Sequence, residues 1–499
     1  MEVLNELGTQ KVLGLGLAAF VLWYITSAFY SWWRLRHIPG PLLASFSYLW
    51  LARNHLNADQ AFHHADLRKY GTVVRTGPNY VITHDPMALR RVTGYRSGYA
   101  RDVWYTGFRT ERHDSMLSQL DSGLHDRVKA KVANGYNGRD VDLEKNVNQI
   151  LLQFLDLIRE QYISTGNQTK QVDFATFIRY FTLDVITKLG YGTEFGFLEA
   201  KHDLFNYTKS NDDFFTGLAL ALDIPLLRRM FTSPLTAWLL PQETDKTGLG
   251  KIVGITHQMV KKRFKENDLE SKDMIGSFMR HGLTEDECNA ETILQLLAGS
   301  DSTAIALRVT MLYIITTPRV YQRLKAEIRK AVQSGVSFPI TQEQAKKIPY
   351  LQAVLKEGLR MRPPFSYGQF KVVPAGGETI DGVHIPAGTA LGTNLIGVAR
   401  YEAIFGRDVD LFRPERFLEC DESARLEMER GIDTLFGSGR FLCAGKQVAF
   451  MEMNKVYFEL LRAFDFQIVY PHKAWAERSL NSWSQKDMWV SITVAAEDN

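Results

Sequence analysis

Residues 12–33, VLGLGLAAFVLWYITSAFYSWW, run for 22 positions without one charged side chain. As a helix this segment measures about 33 Å at 1.5 Å per residue, enough to cross a hydrocarbon core of about 30 Å. Trp23, Tyr24, Tyr30, Trp32 and Trp33 include the amphipathic rings that settle at a membrane interface. A cleaved signal peptide fits worse, because the apolar run is too long and no A-x-A-like site follows it. Arg34, Arg36 and His37 come next, and positive charge on that side places the remaining chain in the cytosol. The Asn-x-Thr triplets at Asn167 and Asn206 are then chance, since they never meet a glycosylation enzyme. Pro39, Gly40 and Pro41 stop the helix and give a stiff lead-in. The expected organisation is a short tail over 1–11, an anchor over 12–33, a Pro/Gly hinge over 34–45 and one domain over 46–499.

No linker, charge block or repeat divides that domain, although 499 residues could hold more than one. A net charge of +3 argues against a nucleic-acid partner. Cys288, Cys420 and Cys443 are far apart, which disfavours a disulfide framework or a CxxC-type zinc site and suits a reducing compartment. TVVRTGPNYVITH (72–84) predicts a hairpin. Apolar spacing predicts helices over 147–160, 321–332 and 448–464, with short strands in 377–391 and 466–470. The fold class is mainly α with a smaller β portion (α+β).

FGSGRFLCAG (436–445) sets one cysteine among glycines, just before an apolar helix that starts near Gly445. A thiolate binds iron strongly but is disfavoured in apolar surroundings. A glycine-rich backbone can wrap close enough to aim N–H groups at the sulfur. A phosphate loop is the competing reading, and neither a Gly-Lys-Ser/Thr ending nor a G-x-G-x-x-G is present. The stretch resembles the haem-binding loop of cytochrome P450 monooxygenases. Phe436, Gly437, Gly439 and Gly445 match that pattern around Cys443, whereas Phe441 stands where the family usually has Arg or His. The wording of this loop and of LHDRVKAKVANGY (124–136) is similar to fungal secondary-metabolism members, with a pisatin-demethylase-like branch the nearest.

Three further motifs extend the resemblance. EGLR supplies Glu357 and Arg360, which share a helix face at i and i+3. FRPERF (412–417) adds Arg416, and the resemblance implies that these three brace the haem loop structurally. LLAGSDSTA (296–304) places Ala298, Gly299, Asp301, Ser302 and Thr303 in a long apolar stretch, where Ser and Thr hydroxyls can bond back to earlier carbonyls and bend a helix. The resemblance implies an opened groove above the iron, with Asp301 and Ser302 delivering protons and Thr303 the secondary hydroxyl.

The resemblance implies a P450 fold, haem b with Cys443 as axial thiolate, and insertion of one oxygen atom from O2 into a lipophilic small molecule, a fungal terpenoid, polyketide or alkaloid. Thiolate donation favours O–O cleavage. NADPH would supply electrons through a membrane-bound flavoprotein reductase, with cytochrome b5 as a further partner, at the endoplasmic reticulum membrane. The haem carboxylates need cations. His125, Arg127 and Lys129 in HDRVK and Lys371 in FKVVPAGG are the candidates, with Arg440 also carried as a cofactor contact. Neighbours in an extended loop point to opposite sides, so the Arg440 side chain is expected to face the surface where an acidic reductase docks. Ile293, Leu297, Phe365, Ser366, Tyr367 and Trp483 are candidate pocket residues. Two other readings are a reductase-independent haem-thiolate isomerase, against which Asp301 and Ser302 argue, and a non-catalytic haem sensor.

Overall fold

One helix organises the interior. Glu285–Thr316 opens with a capping box, in which Thr284 Oγ1 accepts from Glu287 N (3.2 Å) and the Glu287 carboxylate accepts from Thr284 N (2.9 Å). Its apolar residues face every direction, so no single stripe exists and the helix has to be surrounded by protein. Phe174–Tyr191, likewise buried on nearly all sides, packs along it. Tyr457, on helix Lys446–Ala463, donates to the carbonyl of Leu307 (2.7 Å) and ties in a third element.

The computed structural model describes residues 2–95 and 97–495. Its largest sheet runs in the spatial order Val73–Arg75, Tyr80–Thr83, Ala390–Thr393, Gly368–Val372 and Ala100–Arg101. Only Tyr80–Thr83 and Ala390–Thr393 are parallel within it. Arg101 pairs directly with Lys371, so two cations lie side by side at one edge. A three-stranded sheet sets Trp489–Val494 between Val172–Asp173 and Phe464–Ile468, and Ala476–Ser479 with Trp483–Lys486 forms a separate hairpin. A helical core containing Ile186, Leu297 and Leu359 faces a second apolar cluster on the sheet side containing Trp104, Leu218 and Tyr367. The main cavity lies in the seam between them.

The N-terminal helix spans Glu2–Leu35, so the expected tail over 1–11 is helical from residue 2. Within it, Gly14–Leu35 is long and apolar enough to cross a membrane. The 34–45 lead-in is docked rather than hinged. Leu35 and Ile38 are buried against Val73, Val81 and Ile385. Arg75 N donates to Pro39 O (2.8 Å), and the Arg75 guanidinium reaches back to Ser31 O (2.9 Å). A side chain at Gly40 would collide with the Arg75 carbonyl at 2.2 Å. The Pro-Gly-Pro run therefore ends the helix, as its chemistry requires, but burial removes the freedom expected of a hinge.

Candidate functional site

Helix Glu422–Leu435 ends in the loop that carries Cys443. Gly437 (φ +76°) and Gly439 (φ +58°) occupy the left-handed region, and a Cβ on Gly439 would meet Thr93 O at 2.3 Å. Cys443 N donates to Phe436 O (2.8 Å) and closes the loop. Gly445 then caps helix Lys446–Ala463. The sulfur sits at that helix's N-terminus and is exposed to a cavity of about 890 Å³. Burial pushes the thiol pKa up, while the N–H groups of Gly445 and Lys446 and the charges of Lys129 and Lys446 pull it down.

The cations around the loop fall into two sets. Lys129 lines the cavity and spends its ammonium on the carbonyls of Arg440 and Leu442, both at 2.7 Å. Lys371 is 1 % exposed, its Nζ has no hydrogen-bond partner among the described residues, and it lies 3.1 Å from the centre of the Phe441 ring. Burial, with Arg101 and Arg440 nearby, pushes its pKa down to about 6. Arg101, which sequence reasoning missed, lines the cavity 4.4 Å from the same ring. Its Nη1 donates to the carbonyls of Met116, Leu117 and Gln119 at 2.6, 2.9 and 3.0 Å, and its Nε is buried without a hydrogen-bond partner among the described residues. His125 also lines the cavity, its pKa pushed down to about 4 by burial first and by Arg101 second.

Two expectations change here. Arg127 is exposed and lies off the cavity, because it shares a helix with Lys129 but not its face. Arg440 does not line the cavity either. It pairs with Asp126 (3.1 Å) and lies over Tyr95. The loop there is a 3-10 turn over Gly439–Phe441, so the alternation of an extended strand is not what turns the arginine away.

Glu357, Arg360 and Arg416 meet in full burial. Arg360 forks onto Glu357 with two bonds of 2.8 Å, Arg416 Nε reaches both carboxylate oxygens at 3.1 Å, and Arg413 N adds a donor at 2.8 Å. Arg360 spends its remaining donors on the carbonyls of Ala399, Val409 and Leu411, and Arg416 bonds Asp408 at 2.9 Å.

Asp301, Ser302 and Thr303 line the cavity from the central helix. Asp301 is held by Arg179 (2.7 and 3.0 Å) and by Asn211 (2.7 Å). Ser300 and Ser302 bond back to Leu296 and Ala298 carbonyls at 2.8 and 2.7 Å, yet the helix runs through this segment without a break. The expected opening of the helix is therefore absent. Gly299 serves packing instead, since a Cβ there would come within 2.9 Å of Ile186.

The comparisons match this geometry. The family model described as Cytochrome P450 matches residues 38–479. The chain belongs to the cytochrome P450 family. It is 43% identical over 505 residues to "Cytochrome P450 monooxygenase ABA1" of Pyricularia oryzae, covering 99% of this chain and 98% of that one. It is also 43% identical over 468 residues to "Cytochrome P450 monooxygenase aba1" of Botryotinia fuckeliana, covering 92% of each. Identity to "Cytochrome P450 monooxygenase abl1" of Leptosphaeria maculans is 40% over 470 residues, 92% of this chain and 82% of that one. These relatives are fungal monooxygenases, and they carry the family and the enzyme class rather than a pisatin-demethylase-like branch.

A P450 uses haem held by a cysteine thiolate, and the site's chemistry fits that group. A lone thiol opens onto the cavity, and Arg101 lines the same cavity with a buried Nε that has no hydrogen-bond partner among the described residues, as a macrocycle with two carboxylates requires. Lys371 does not line the cavity and stands against the Phe441 ring, with its Nζ likewise without a hydrogen-bond partner there. Of the candidate pocket residues in this P450, Leu297, Phe365, Tyr367 and Trp483 line the cavity. Ser366 does not. The backbone bends at Ser366 and Tyr367, and the Ser366 hydroxyl bonds the Asn481 carbonyl (3.0 Å) instead of facing the cavity. Ile293 is core, one turn before Leu297 and beyond the cavity's end.

Proposed function

We propose that this P450 is held at the endoplasmic reticulum membrane by its N-terminal helix and hydroxylates or otherwise oxidises a lipophilic fungal metabolite. Electrons come from NADPH through a flavoprotein reductase, with cytochrome b5 as an auxiliary donor. The observation that carries this reading is that Cys443 opens onto the same cavity as Asp301, Ser302 and Thr303. Bound haem supplies the iron that activates O2, one atom entering the substrate and the other leaving as water. Cys443 holds that iron, and the N–H groups of Gly445 and Lys446 temper the charge on its sulfur. Arg101, at the cavity wall, would hold a haem carboxylate, with Lys371 adding charge from behind Phe441, and Lys129 fixes the loop through its carbonyls. Asp301 and Ser302 line the cavity side by side and are the groups assigned to proton delivery, with Thr303 the secondary hydroxyl. Glu357, Arg360 and Arg416 keep the loop in register without touching substrate.

The test is expression beside a reductase, with mass analysis of a metabolite pool for +16 or −2 products. Cys443→Ser is expected to abolish turnover and the thiolate signature of the reduced, carbon-monoxide-bound spectrum. Product formed without NADPH would instead identify an isomerase. Failure of every lipophilic compound to perturb the Soret band would identify a sensor.

A further inference from the structure

The cavity's exposed charged lining comes from two places. Lys209 and Asp213 stand on helix Tyr207–Asp223, which roofs the cavity. Arg478, Lys486 and Asp487 stand on or beside the hairpin Ala476–Ser479/Trp483–Lys486. Every other charged lining residue is buried or half-buried. Hydrated charges mark where the cavity meets bulk water, because burying a charge is costly and an exposed one keeps its solvation. Among the described residues one ion pair crosses this mouth, Lys486 Nζ to Asp212 Oδ2 at 2.7 Å, with the Lys486 side chain 56 % exposed.

The two ends of the roof helix are fastened differently. At its C-terminal end Asp223 is completely buried and accepts from His55 (2.8 Å), Gln60 (3.2 Å), Trp104 (3.2 Å) and the Tyr367 hydroxyl. Just beyond, Arg228 Nη1 bonds Tyr80 Oη (2.8 Å) and Leu222 O (2.7 Å). Unfastening a buried carboxylate with four donors is expensive. An exposed ion pair such as Lys486–Asp212 is weak and exchanges readily with water. The opposite side of the mouth is rigid, since Gln485 is gripped by Arg308 (2.8 Å) and Glu477 (3.0 Å), and Glu477 by Arg362 (3.2 Å). Breaking Lys486–Asp212 leaves Asp212 on Arg179 (2.8 Å), so the mouth can open without unseating Asp301. The exposed apolar side chains Leu226, Met230, Leu235, Trp238 and Leu239 all follow the bolted end, about 16 Å along the roof helix from Asp212. The mouth and the apolar face are thus at opposite ends of the roof.

We infer that small molecules enter and leave this P450 between the roof helix and the hairpin, with Lys486 and Asp212 as the gate, and that the charged mouth selects substrates with an apolar body and a polar or anionic end. The apolar body goes toward Cys443 and the polar end stays among Lys209, Arg478 and Lys486. This rests on the haem-thiolate reading only through its spectroscopic probe.

Stopped-flow binding of two imidazoles to the full-length holoenzyme, 1-butylimidazole and 6-(imidazol-1-yl)hexanoic acid, is followed at the Soret band. Lys486→Ala is expected to raise association and dissociation of 1-butylimidazole together by about two- to fivefold, the scale of an exposed ion pair. Lys486→Glu is expected to slow association of the carboxylate probe more than that of the neutral one, with the difference shrinking at high salt. Gln60→Ala, which removes one donor of the Asp223 bolt, is expected to change neither rate. Unchanged rates in both Lys486 variants, with acceleration in Gln60→Ala, would overturn the gate and move traffic to the bolted end. A wild-type holoenzyme with a thiolate carbon-monoxide spectrum separates that failure from failure of the haem-thiolate reading. Absence of that spectrum would overturn both.

Discussion

Two clusters of buried cations in this P450 are built on opposite plans. Around Glu357 the charges close on one another, and Arg360 and Arg416 find a carboxylate or a carbonyl for their donors. Around Phe441 the charges are left open. Arg101 and Lys371 sit directly opposite in a sheet with no carboxylate between them, and Lys371 Nζ and Arg101 Nε have no partner among the described residues. Burying an unpaired cation is costly, and like charges opposite in a sheet repel. A chain holds such an arrangement where an anion is to be bound. The first cluster is complete as protein, and the second leaves donors without hydrogen-bond partners among the described residues.

The sharpest break of this contrast is expected at Glu357. Glu357→Ala strands two buried guanidinium groups, a loss of the order of 3–5 kcal/mol, so little folded, haem-loaded protein is expected in an expression assay. Lys371→Met is expected to act in the opposite sense on the haem-free protein, raising its stability while weakening haem retention. Equal destabilisation by both substitutions would erase the distinction between the clusters.

The open cluster also predicts a pH dependence. The Lys371 pKa is pushed down to about 6 in the folded chain, against 10.5 for an ordinary lysine. Between those values the unfolded chain binds the extra proton, so the stability of the haem-free protein rises with pH across that window, by at most about 1.4 kcal/mol per unit. Denaturant titrations from pH 6 to pH 10 are expected to show this slope in the wild-type apoprotein and to lose it in Lys371→Met. With haem carboxylate beside the amine, the ammonium is stabilised and the slope is expected to shrink.

Much of this was legible in the chain, and the failures have physical causes. The loop around Cys443 and the Glu357–Arg360 spacing could be read because their geometry is local, set by glycine backbone freedom and by helical periodicity. Arg101 could not, because its partner Lys371 is 270 positions away and meets it only through a two-residue strand. Ser366 lies off the cavity because the chain bends there and its hydroxyl is spent on the carbonyls of Leu480 and Asn481, partners more than a hundred positions away. The unbroken central helix shows that hydroxyls bonding back to Leu296 and Ala298 are accommodated when Phe174–Tyr191 packs against the same segment. Nothing in the local spacing announces the Asp223 bolt, whose donors come from four separate places in the chain.

A smaller contrast separates Lys129 and Lys371 from Arg440. Arg440 forms an ion pair with Asp126 (3.1 Å) that Lys371 lacks, whereas Lys129 holds the loop carbonyls and Lys371 stands behind Phe441; neither Arg440 nor Lys371 lines the cavity. Transfer of haem to apomyoglobin is therefore expected to accelerate in Lys129→Ala and Lys371→Ala and to stay unchanged in Arg440→Ala. If Arg440 belongs to a reductase-docking face, its variant slows first-electron transfer, more so at low salt. Rapid haem loss from Arg440→Ala alone would place it in the open cluster.

The mildest test lies across the cavity, at neutral groups. Asp301 is already engaged by Arg179 and Asn211, so the hydroxyl that can present a proton to the cavity is a neighbour's. Ser302 Oγ bonds the Ala298 carbonyl (2.7 Å) and remains accessible, whereas Thr303 is 4 % exposed. Ser302→Ala is expected to raise peroxide released per NADPH consumed several-fold, in line with loss of one positioned proton donor, while Thr303→Ala does less. Neither substitution removes a charge, so haem content and melting temperature are expected to hold in both, which separates this effect from damage to either cation cluster. The reverse order of uncoupling would assign the relay to Thr303, and would mean that the helix turns or loosens at Gly299 once substrate is bound.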